Sequence, residues 1–367
     1  MSDNDVDIRD GRGKRRIKLR NILVGSLLLA IGFSQSVQAS TRWVVDMAGR
    51  NVEVPESIER PLGAAPPLTA LLYALDPDLV QALNIPFTAN SGHYLAPGVE
   101  SLPVVGSAMG HGQQLNPETL LLLQPDVALA WRNSFSDLAP EMMEAPFEKA
   151  GIPVLYVQLD RLSDWPQAFE FVGKLVGREA RGKALANYIR ESLQRVQDAL
   201  NAIPEAERVS VYYAETPDGL ATDCHTSFHT EAIELARGYN PYRCQSQTMV
   251  GQERVSMELV SLWDPEFIIV QDPLFLHNAA GDSRWTRLQA FRKGQVLAVP
   301  RKPMNWIDRP PSFMRALGIQ WLAHAFYPRR FTLDMEEETR RFYRLFFNIE
   351  LSAEELNELL GPAKNMR

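Results

Sequence analysis

Two histidines and a glutamate lie close together in the segment TDCHTSFHTE, residues 222–231. Imidazole and carboxylate groups are ligands for transition metals. His225 and His229 are four residues apart, so on a helix they would share one face, with Glu231 nearby. This spacing predicts a metal site, and a zinc hydrolase is one chemistry that it could support. The alternative is that one histidine caps or packs, and that only His229, at the helix start, faces a cleft.

Arginine and tryptophan residues follow predicted strands and could bind an anionic or flat ligand. The guanidinium groups of Arg132 and Arg309 match carboxylate or catecholate oxygens bidentately. The alternative for each is a structural salt bridge, which Asp308 could provide for its neighbour Arg309. Trp131 and Trp306 could form flat walls for a chelate or a macrocycle, unless they pack in the core.

Further candidates lie in predicted loops of the first half of the chain, at His93, Tyr94 and His111. Tyr94 belongs with the ligand-binding candidates. A site for bare zinc or manganese needs three or four converging histidine and carboxylate ligands, which His93 or His111 could complete with His229. His324 falls on an apolar helical face and is interpreted as a core residue. No G-x-S-x-G, H-E-x-x-H or P-loop pattern appears, so the sequence favours binding over catalysis.

One phrase occurs twice in the chain, as LNPETLLLLQPDVALA at 115–130 and VSMELVSLWDPEFIIV at 255–270. Each copy predicts a short helix followed by a strand, with Glu118 or Glu258 in the first helical turn. A carboxylate there complements the helix dipole, which is sufficient to explain either residue alone. The repetition favours a second interpretation, in which the two carboxylates dock onto a partner that has two related halves.

Strand and helix patterns alternate along the chain, which predicts parallel sheets covered by helices, with ligands bound at the carboxyl ends of the strands. The predicted strands are 43–55 (as a hairpin), 61–66, 79–83, 103–105, 126–131, 153–157, 208–214, 266–271 and 295–299. The predicted helices are 68–75, 117–124, 138–150, 164–200 with a break at Gly177, 229–237, 256–263, 285–292, 311–326 and 334–360.

The N-terminal segment and the cysteines indicate the compartment. Residues 12–20 are basic, residues 21–33 are apolar but too short to span a membrane, and small residues precede a cleavage point after Ala39, as in a secretory signal peptide. The formal net charge of −7 becomes more acidic after cleavage, which disfavours nucleic acid as a partner. In an oxidising periplasm Cys224 and Cys244 are expected to pair.

The predicted organisation has five parts. They are a signal peptide (1–39), an N-terminal α/β lobe (40–160), a connecting helical segment (161–203), a C-terminal α/β lobe (204–330) and C-terminal helices (331–367).

The phrase DMAGRNVEVP at 46–55 resembles the opening of the helical-backbone class of periplasmic binding proteins. These proteins serve ABC importers for ferric siderophores, vitamin B12, haem and some metals. The resemblance extends over nearly all of residues 43–361. The supporting phrases are LLYAL (71–75), LPVVG (102–106), NPETLLLLQPDVALA (116–130), FHTEAIELARGYN (228–240), WTRLQAFRKGQVLAVP (285–300) and FYRLFFNIELSAEELNELL (342–360).

The resemblance implies an α/β protein with two Rossmann-like lobes joined by a long connecting helix, a class III periplasmic binding protein. It implies a monomer without a catalytic cofactor, which delivers a metal chelate (iron, nickel, haem or corrinoid) to the permease of an ABC importer. Glu118 and Glu258 match the glutamates that this family offers to permease arginines. The chain departs from the family at Asp76, where glycine is usual, and at PLGAAPP (61–67), which replaces a commoner strand-to-serine phrase.

Overall fold

The computed structural model describes residues 40–87, 91–108, 113–132, 140–245 and 250–364. The predicted signal peptide and the candidate ligand His111 lie outside these residues. No helix within the described ranges is both long and apolar enough to cross a membrane.

The first half of the chain builds a three-stranded parallel sheet in the order β3-β4-β5. Its strands are fully buried because helices cover them, as expected for parallel sheets. The antiparallel hairpin β1-β2 precedes this sheet and confirms the hairpin prediction. In chain order the elements are β1 (Thr41–Val45), β2 (Asn51–Pro55), β3 (Pro61–Gly63), α1 (Pro66–Leu75), α2 (Pro117–Leu123), β4 (Val127–Trp131), α3 (Pro140–Lys149) and β5 (Val154–Val157).

Two helices, α4 (Trp165–Leu175) and α5 (Glu179–Leu200), connect the two halves. Gly177 lies between them with a φ of +68°, the left-handed conformation that glycine adopts without steric cost. A Cβ on Gly182 would lie 2.4 Å from the carbonyl oxygen of Phe169, so the crossing of the two helices requires a glycine. The predicted helical connection with a break at Gly177 is therefore confirmed.

The second half repeats the architecture, with a parallel sheet in the order β10-β9-β6. Its elements are β6 (Val211–Ala214), β7 (Ala221–Thr222), α6 (Glu231–Leu235), β8 (Glu253–Arg254), α7 (Met257–Trp263), β9 (Phe267–Val270), α8 (Leu274–Ala280), α9 (Ser283–Thr286), α10 (Gln289–Arg292), β10 (Val296–Ala298), α11 (Arg315–Phe326), α12 (Met335–Phe347) and α13 (Ala353–Lys364).

Successive residues of β6 point to opposite faces of this second sheet. Val211 and Tyr213 belong to a large hydrophobic cluster that also contains the first lobe and the connecting helices. Tyr212 and Ala214 belong to a smaller cluster on the other face. A continuous core between the two lobes and α5 favours a stiff molecule, since close-packed interiors deform little.

Several details of the secondary structure differ from the sequence predictions. The segments 79–83 and 103–105 are not strands: only an isolated bridge joins Leu83 to Val104. The predicted helix 285–292 is divided into α9 and α10. Helix α8 and the short antiparallel pair β7-β8 were not predicted. These elements are too short to carry a clear hydrophobic period, so only tertiary packing defines them.

Candidate functional site

A cavity of about 220 Å³ lies between the segment that follows β3 and the segment that follows β10. It therefore opens at the carboxyl ends of strands from both sheets, where open α/β sheets bind ligands. The first lobe contributes mainly apolar side chains, including Tyr73, Leu83 and Phe87. The second lobe contributes Arg301, Asn305 and Arg309, among others.

Arg301 supplies a positive charge to this cavity. Its Nη1 donates a hydrogen bond of 3.0 Å to the backbone carbonyl of Gln271, the residue that follows β9. Within the described part of the chain, no carboxylate forms an ion pair with Arg301. The guanidinium can therefore bind an anion in the cavity without first losing an ion-pair partner.

Arg309 also lines the cavity, but its charge is already compensated. The guanidinium contacts Glu215 Oε2 at 2.5 Å and Asp223 Oδ2 at 2.6 Å, and both carboxyl side chains are completely buried. These residues follow β6 and β7, so the ion pairs fix the loop of Arg309 against the second sheet. Of the two roles considered from the sequence, the structure places Arg309 in the structural salt bridge.

The two carboxyl groups at Arg309 are strongly coupled. Burial, together with a hydrogen bond to Asp223 and the proximity of that carboxylate, raises the pKa of Glu215 well above its usual range, although Arg309 acts in the opposite direction. The raised pKa favours the protonated form of Glu215, and Arg309 lies between the two carboxyl groups. Asp308 also approaches this guanidinium, at 3.7 Å, so Arg309 has three carboxyl neighbours.

The predicted histidine pair does not share a helical face, because α6 begins only at Glu231. His225 precedes a 3₁₀ turn, and its Nδ1 accepts a hydrogen bond of 3.2 Å from the backbone N–H of Cys244. The Cys224–Cys244 disulfide is present and holds this turn irregular. The two imidazoles thus have separate structural partners, and the prediction of a common metal-binding face is wrong.

His229 is buried against Asp308 through its Nδ1. Burial opposes protonation of the imidazole, but the neighbouring carboxylate outweighs it and raises the pKa of His229. Glu231 accepts hydrogen bonds from the backbone N–H of Leu162 and pairs with Arg315 at 2.5 Å. Among the residues that the structure describes, no group of three or more histidine, cysteine, aspartate and glutamate side chains could hold a metal ion.

Neither Trp131 nor Trp306, which were predicted to form flat walls of the ligand site, lines the cavity. Trp306 is completely buried, and its Nε1 donates to the hydroxyl of Tyr343 at 3.3 Å, so it belongs to the core and the prediction of a ligand wall is wrong. Trp131 ends β4, donates to Asp160 at 2.9 Å and meets Phe228 edge to face at 5.9 Å. Since Phe228 lies in the second half of the chain, Trp131 joins the two lobes.

The remaining candidates lie outside the cavity lining. Tyr94 is buried and donates a hydrogen bond of 2.7 Å to Glu358 of α13, which also pairs with Lys302. This chain of contacts fastens the C-terminal helix over both lobes. Arg132 follows β4 and His93 lies in a 3₁₀ turn; both are exposed. The ligand-binding role predicted for Tyr94 and Arg132 therefore receives no support from their positions.

The sequence reasoning missed Arg301, Asn84 and Asn305, which line the cavity. Asn84 donates to the carbonyls of Gly63 and Gly106 at 2.9 and 2.8 Å, and so fixes the loops around the first lobe's edge. Asn305 donates to the side chain of Gln271 at 2.7 Å. A signal existed for Arg301, because it lies two residues after the end of the predicted strand 295–299.

The repeated phrase forms the same structure twice. The side chains of Asn116 and Ser256 cap α2 and α7 by accepting a backbone N–H, at 3.0 and 3.2 Å. Both helices end at a residue in the left-handed conformation, Gln124 and Asp264. The strands that follow, β4 and β9, are the central strands of their sheets. The two helices therefore hold equivalent places in the two lobes.

Both glutamates of the repeat are exposed. Hydrogen bonds from its own backbone N–H and from Ser256 lower the pKa of Glu258. Neither Glu118 nor Glu258 lines the cavity. The two carboxylates are thus available at the surface, apart from the cleft.

The family model described as "Periplasmic binding protein" matches residues 68–303. A solved ABC transporter solute binding protein from Sulfurospirillum deleyianum is 36% identical, with a TM-score of 0.80 over 87% of this chain and 99% of that chain. The molybdate-binding protein MolA of Haemophilus influenzae is 26% identical over 358 residues, which cover 90% of this chain and 97% of MolA.

A third relative is named for a ligand other than molybdate. The vitamin B12-binding protein of Vibrio parahaemolyticus is 23% identical over 202 residues, covering 54% of this chain and 67% of that protein. Proteins of this kind are binding components of transport systems and not enzymes. The chain therefore belongs to the periplasmic binding protein family of ABC importers, in the two-lobed class III.

Proposed function

We propose that the chain captures a small anionic metal compound in its cleft, either an oxyanion or a compact metal chelate, and delivers it to an ABC importer. The observation that carries this proposal is Arg301, a cavity-lining guanidinium with no ion-pair partner among the described residues. A charge-assisted hydrogen bond from such a group binds an anion about twice as strongly as a neutral donor.

The size of the cavity supports a small ligand. Pockets for drug-sized molecules enclose roughly 300–1,000 Å³, whereas this cavity encloses about 220 Å³. A corrinoid or a haem is large on this scale, and an oxyanion or a compact chelate is not. The relative named as a molybdate-binding protein, which aligns over 90% of this chain, supports the same ligand class.

The first lobe gives a second reason to assign anion binding to Arg301. Helix α1 begins at the cavity, but its first two residues are Pro66 and Pro67, which have no N–H to offer. Two of the backbone donors that a helix N-terminus normally presents to an anion are thus missing. Recognition of charge therefore depends on the second lobe.

A receptor for a bare cation such as zinc or manganese is the second candidate from the sequence. It needs three or four protein ligands that converge on one point. His229 and Glu231, which could have contributed, are committed to Asp308 and Arg315. The described residues favour the anionic ligand for this reason, and a zinc hydrolase is disfavoured by the same contacts.

The predicted export and docking complete the proposal. The chain acts in the periplasm after removal of residues 1–39, and Glu118 and Glu258 contact arginines on the two permease subunits. The docking contacts are supported by the duplicated helix, which exposes a carboxylate at the same place in both lobes. A partner with two related halves matches such a duplicated surface.

The ligand class is tested on protein purified from periplasm without denaturation. Native mass spectrometry with elemental analysis should detect a small metal-containing ligand. Added molybdate or an anionic chelate at a hundredfold excess over Kd should stabilise the ligand-free protein by about 2.7 kcal/mol. Stabilisation by bare Zn²⁺ alone, with no response to any anion, would contradict the proposal.

Replacing Arg301 by alanine should weaken binding of that ligand about ten- to a hundredfold, since a hydrogen bond to a charged group contributes about 1.5–3 kcal/mol. Arg301→Lys should lie between wild type and alanine, because it retains the charge but not the guanidinium fork. Arg132→Ala is the matched control, an exposed arginine at a strand end outside the cavity. Isothermal titration calorimetry measures all three; an unchanged Kd for Arg301→Ala would exclude Arg301 from the site.

A further inference from the structure

The two repeated helices share a second surface feature, an exposed leucine. Leu122 on α2 is 85% exposed and Leu262 on α7 is 80% exposed, the two highest values among the large hydrophobic side chains of the described residues. Each lies four residues after the glutamate of its helix, and so on the same helical face as Glu118 or Glu258. Each helix therefore presents a carboxylate and a leucine side by side.

The internal packing of the helices does not explain these leucines. Leu120 of α2 and Val260 of α7 are buried and anchor the helices to the core. A single exposed leucine on a soluble protein needs no explanation. Here, however, the same residue is exposed at the same place in both copies, while the sequences around it differ, as at Leu121 and Ser261. Both copies therefore place an exposed apolar residue on the face that bears the carboxylate.

We infer that Leu122 and Leu262 form the apolar part of the permease-docking face. The inference rests on the proposed function and extends it. The partner is the membrane part of the importer, presenting on each of two related halves a cationic side chain beside an apolar pocket. Charge complementarity with Glu118 and Glu258 selects this partner over a second acidic copy of the chain, whose like charges would meet.

An apolar contact beside an ion pair has a specific physical role. Burying leucine removes water from around the neighbouring carboxylate, which strengthens its attraction to the cation and slows dissociation. The charges then govern the rate of association and the leucines govern the lifetime of the complex. The two components of the face are therefore separable in a kinetic measurement.

The test uses the full chain and its cognate importer reconstituted in nanodiscs, with binding followed by surface plasmon resonance. Leu122→Ala and Leu262→Ala should each weaken the complex about tenfold, mainly through faster dissociation and with little change in the salt dependence of association. Met142→Ala and Leu274→Ala are matched controls. Their side chains are 66% and 61% exposed, but they lie outside the repeat and should have no effect.

The outcomes separate this inference from the proposed function. If the wild-type chain binds the importer and the two leucine variants bind equally well, the leucines are not part of the face and only this inference fails. If the wild-type chain does not bind, the docking proposal fails as well. A dimer that forms with increasing concentration and is lost in Leu122→Ala would assign the face to a second copy of the chain and overturn the inference.

Discussion

Uptake should be abolished when both docking charges are reversed, in the variant Glu118→Arg with Glu258→Arg. Truncating one partner of a close interfacial charge pair typically weakens a complex at least about thirtyfold. Reversal adds repulsion, because arginine would then face arginine on each half of the permease. Ligand affinity should stay at the wild-type value, since both side chains are exposed and lie outside the cavity lining, and the unfolding free energy should fall by only about 1 kcal/mol per helix.

Two controls make this result specific. Glu148→Arg reverses an exposed glutamate of α3 that lies outside the repeat, and it should leave uptake unchanged. Compensating Arg→Glu changes in the permease should restore part of the uptake lost by the double reversal. Normal uptake by the double variant would contradict docking through these residues and leave each glutamate as a stabiliser of its helix terminus.

The second large effect is expected at the ion-pair cluster of Arg309. Glu215→Gln should match wild type near pH 4, where the amide resembles the protonated carboxyl, and should be more stable than wild type at neutral pH. Asp223→Asn should also be tolerated in part, since Glu215 can then ionise and become the counter-ion. The double variant removes the two carboxylates closest to Arg309 and leaves it Asp308 at 3.7 Å, so it should lose up to about 3–5 kcal/mol of unfolding free energy, more than the sum of the single changes.

Because of Glu215, the unfolding free energy of the wild-type protein should fall as the pH rises. The pKa of Glu215 is higher in the folded protein than in the unfolded chain. Its contribution to stability is therefore complete below the unfolded pKa of about 4.3, and is lost as the pH rises through the raised, folded pKa. Glu215→Gln does not titrate, so its stability relative to wild type should increase over that range.

Urea denaturation of wild type and the three variants at several pH values measures both effects. Glu148→Gln, an exposed isosteric change, is the control and should follow the wild-type profile. Additive losses in the double variant would show that the two carboxyl groups do not share the charge of Arg309. An equal response of wild type and Glu215→Gln to pH would show that Glu215 is ionised in the folded protein.

Features that depend on neighbours along the chain follow from the sequence alone. The prolines and cap residues around Glu118 and Glu258 define two equivalent helices, because capping and turn chemistry act within a few residues. Hydrophobic periodicity defined α5, and turn residues defined the β1-β2 hairpin. The alternation of strands and helices was sufficient to predict two α/β lobes with parallel sheets, since such an alternation permits few topologies.

Which candidate groups are available to a ligand depends on contacts that form only on folding. Arg301 and Arg309 follow the same strand, and the adjacent Asp308 is the local signal that separates Arg309 from Arg301. Glu215 and Asp223 compensate Arg309 from distant parts of the chain, whereas Arg301 meets only a backbone carbonyl among the described residues. The burial of Trp306 depends in the same way on packing against a remote helix. The sequence shows which residues are arginines. Whether an arginine can bind a ligand depends on the residues that folding brings beside it.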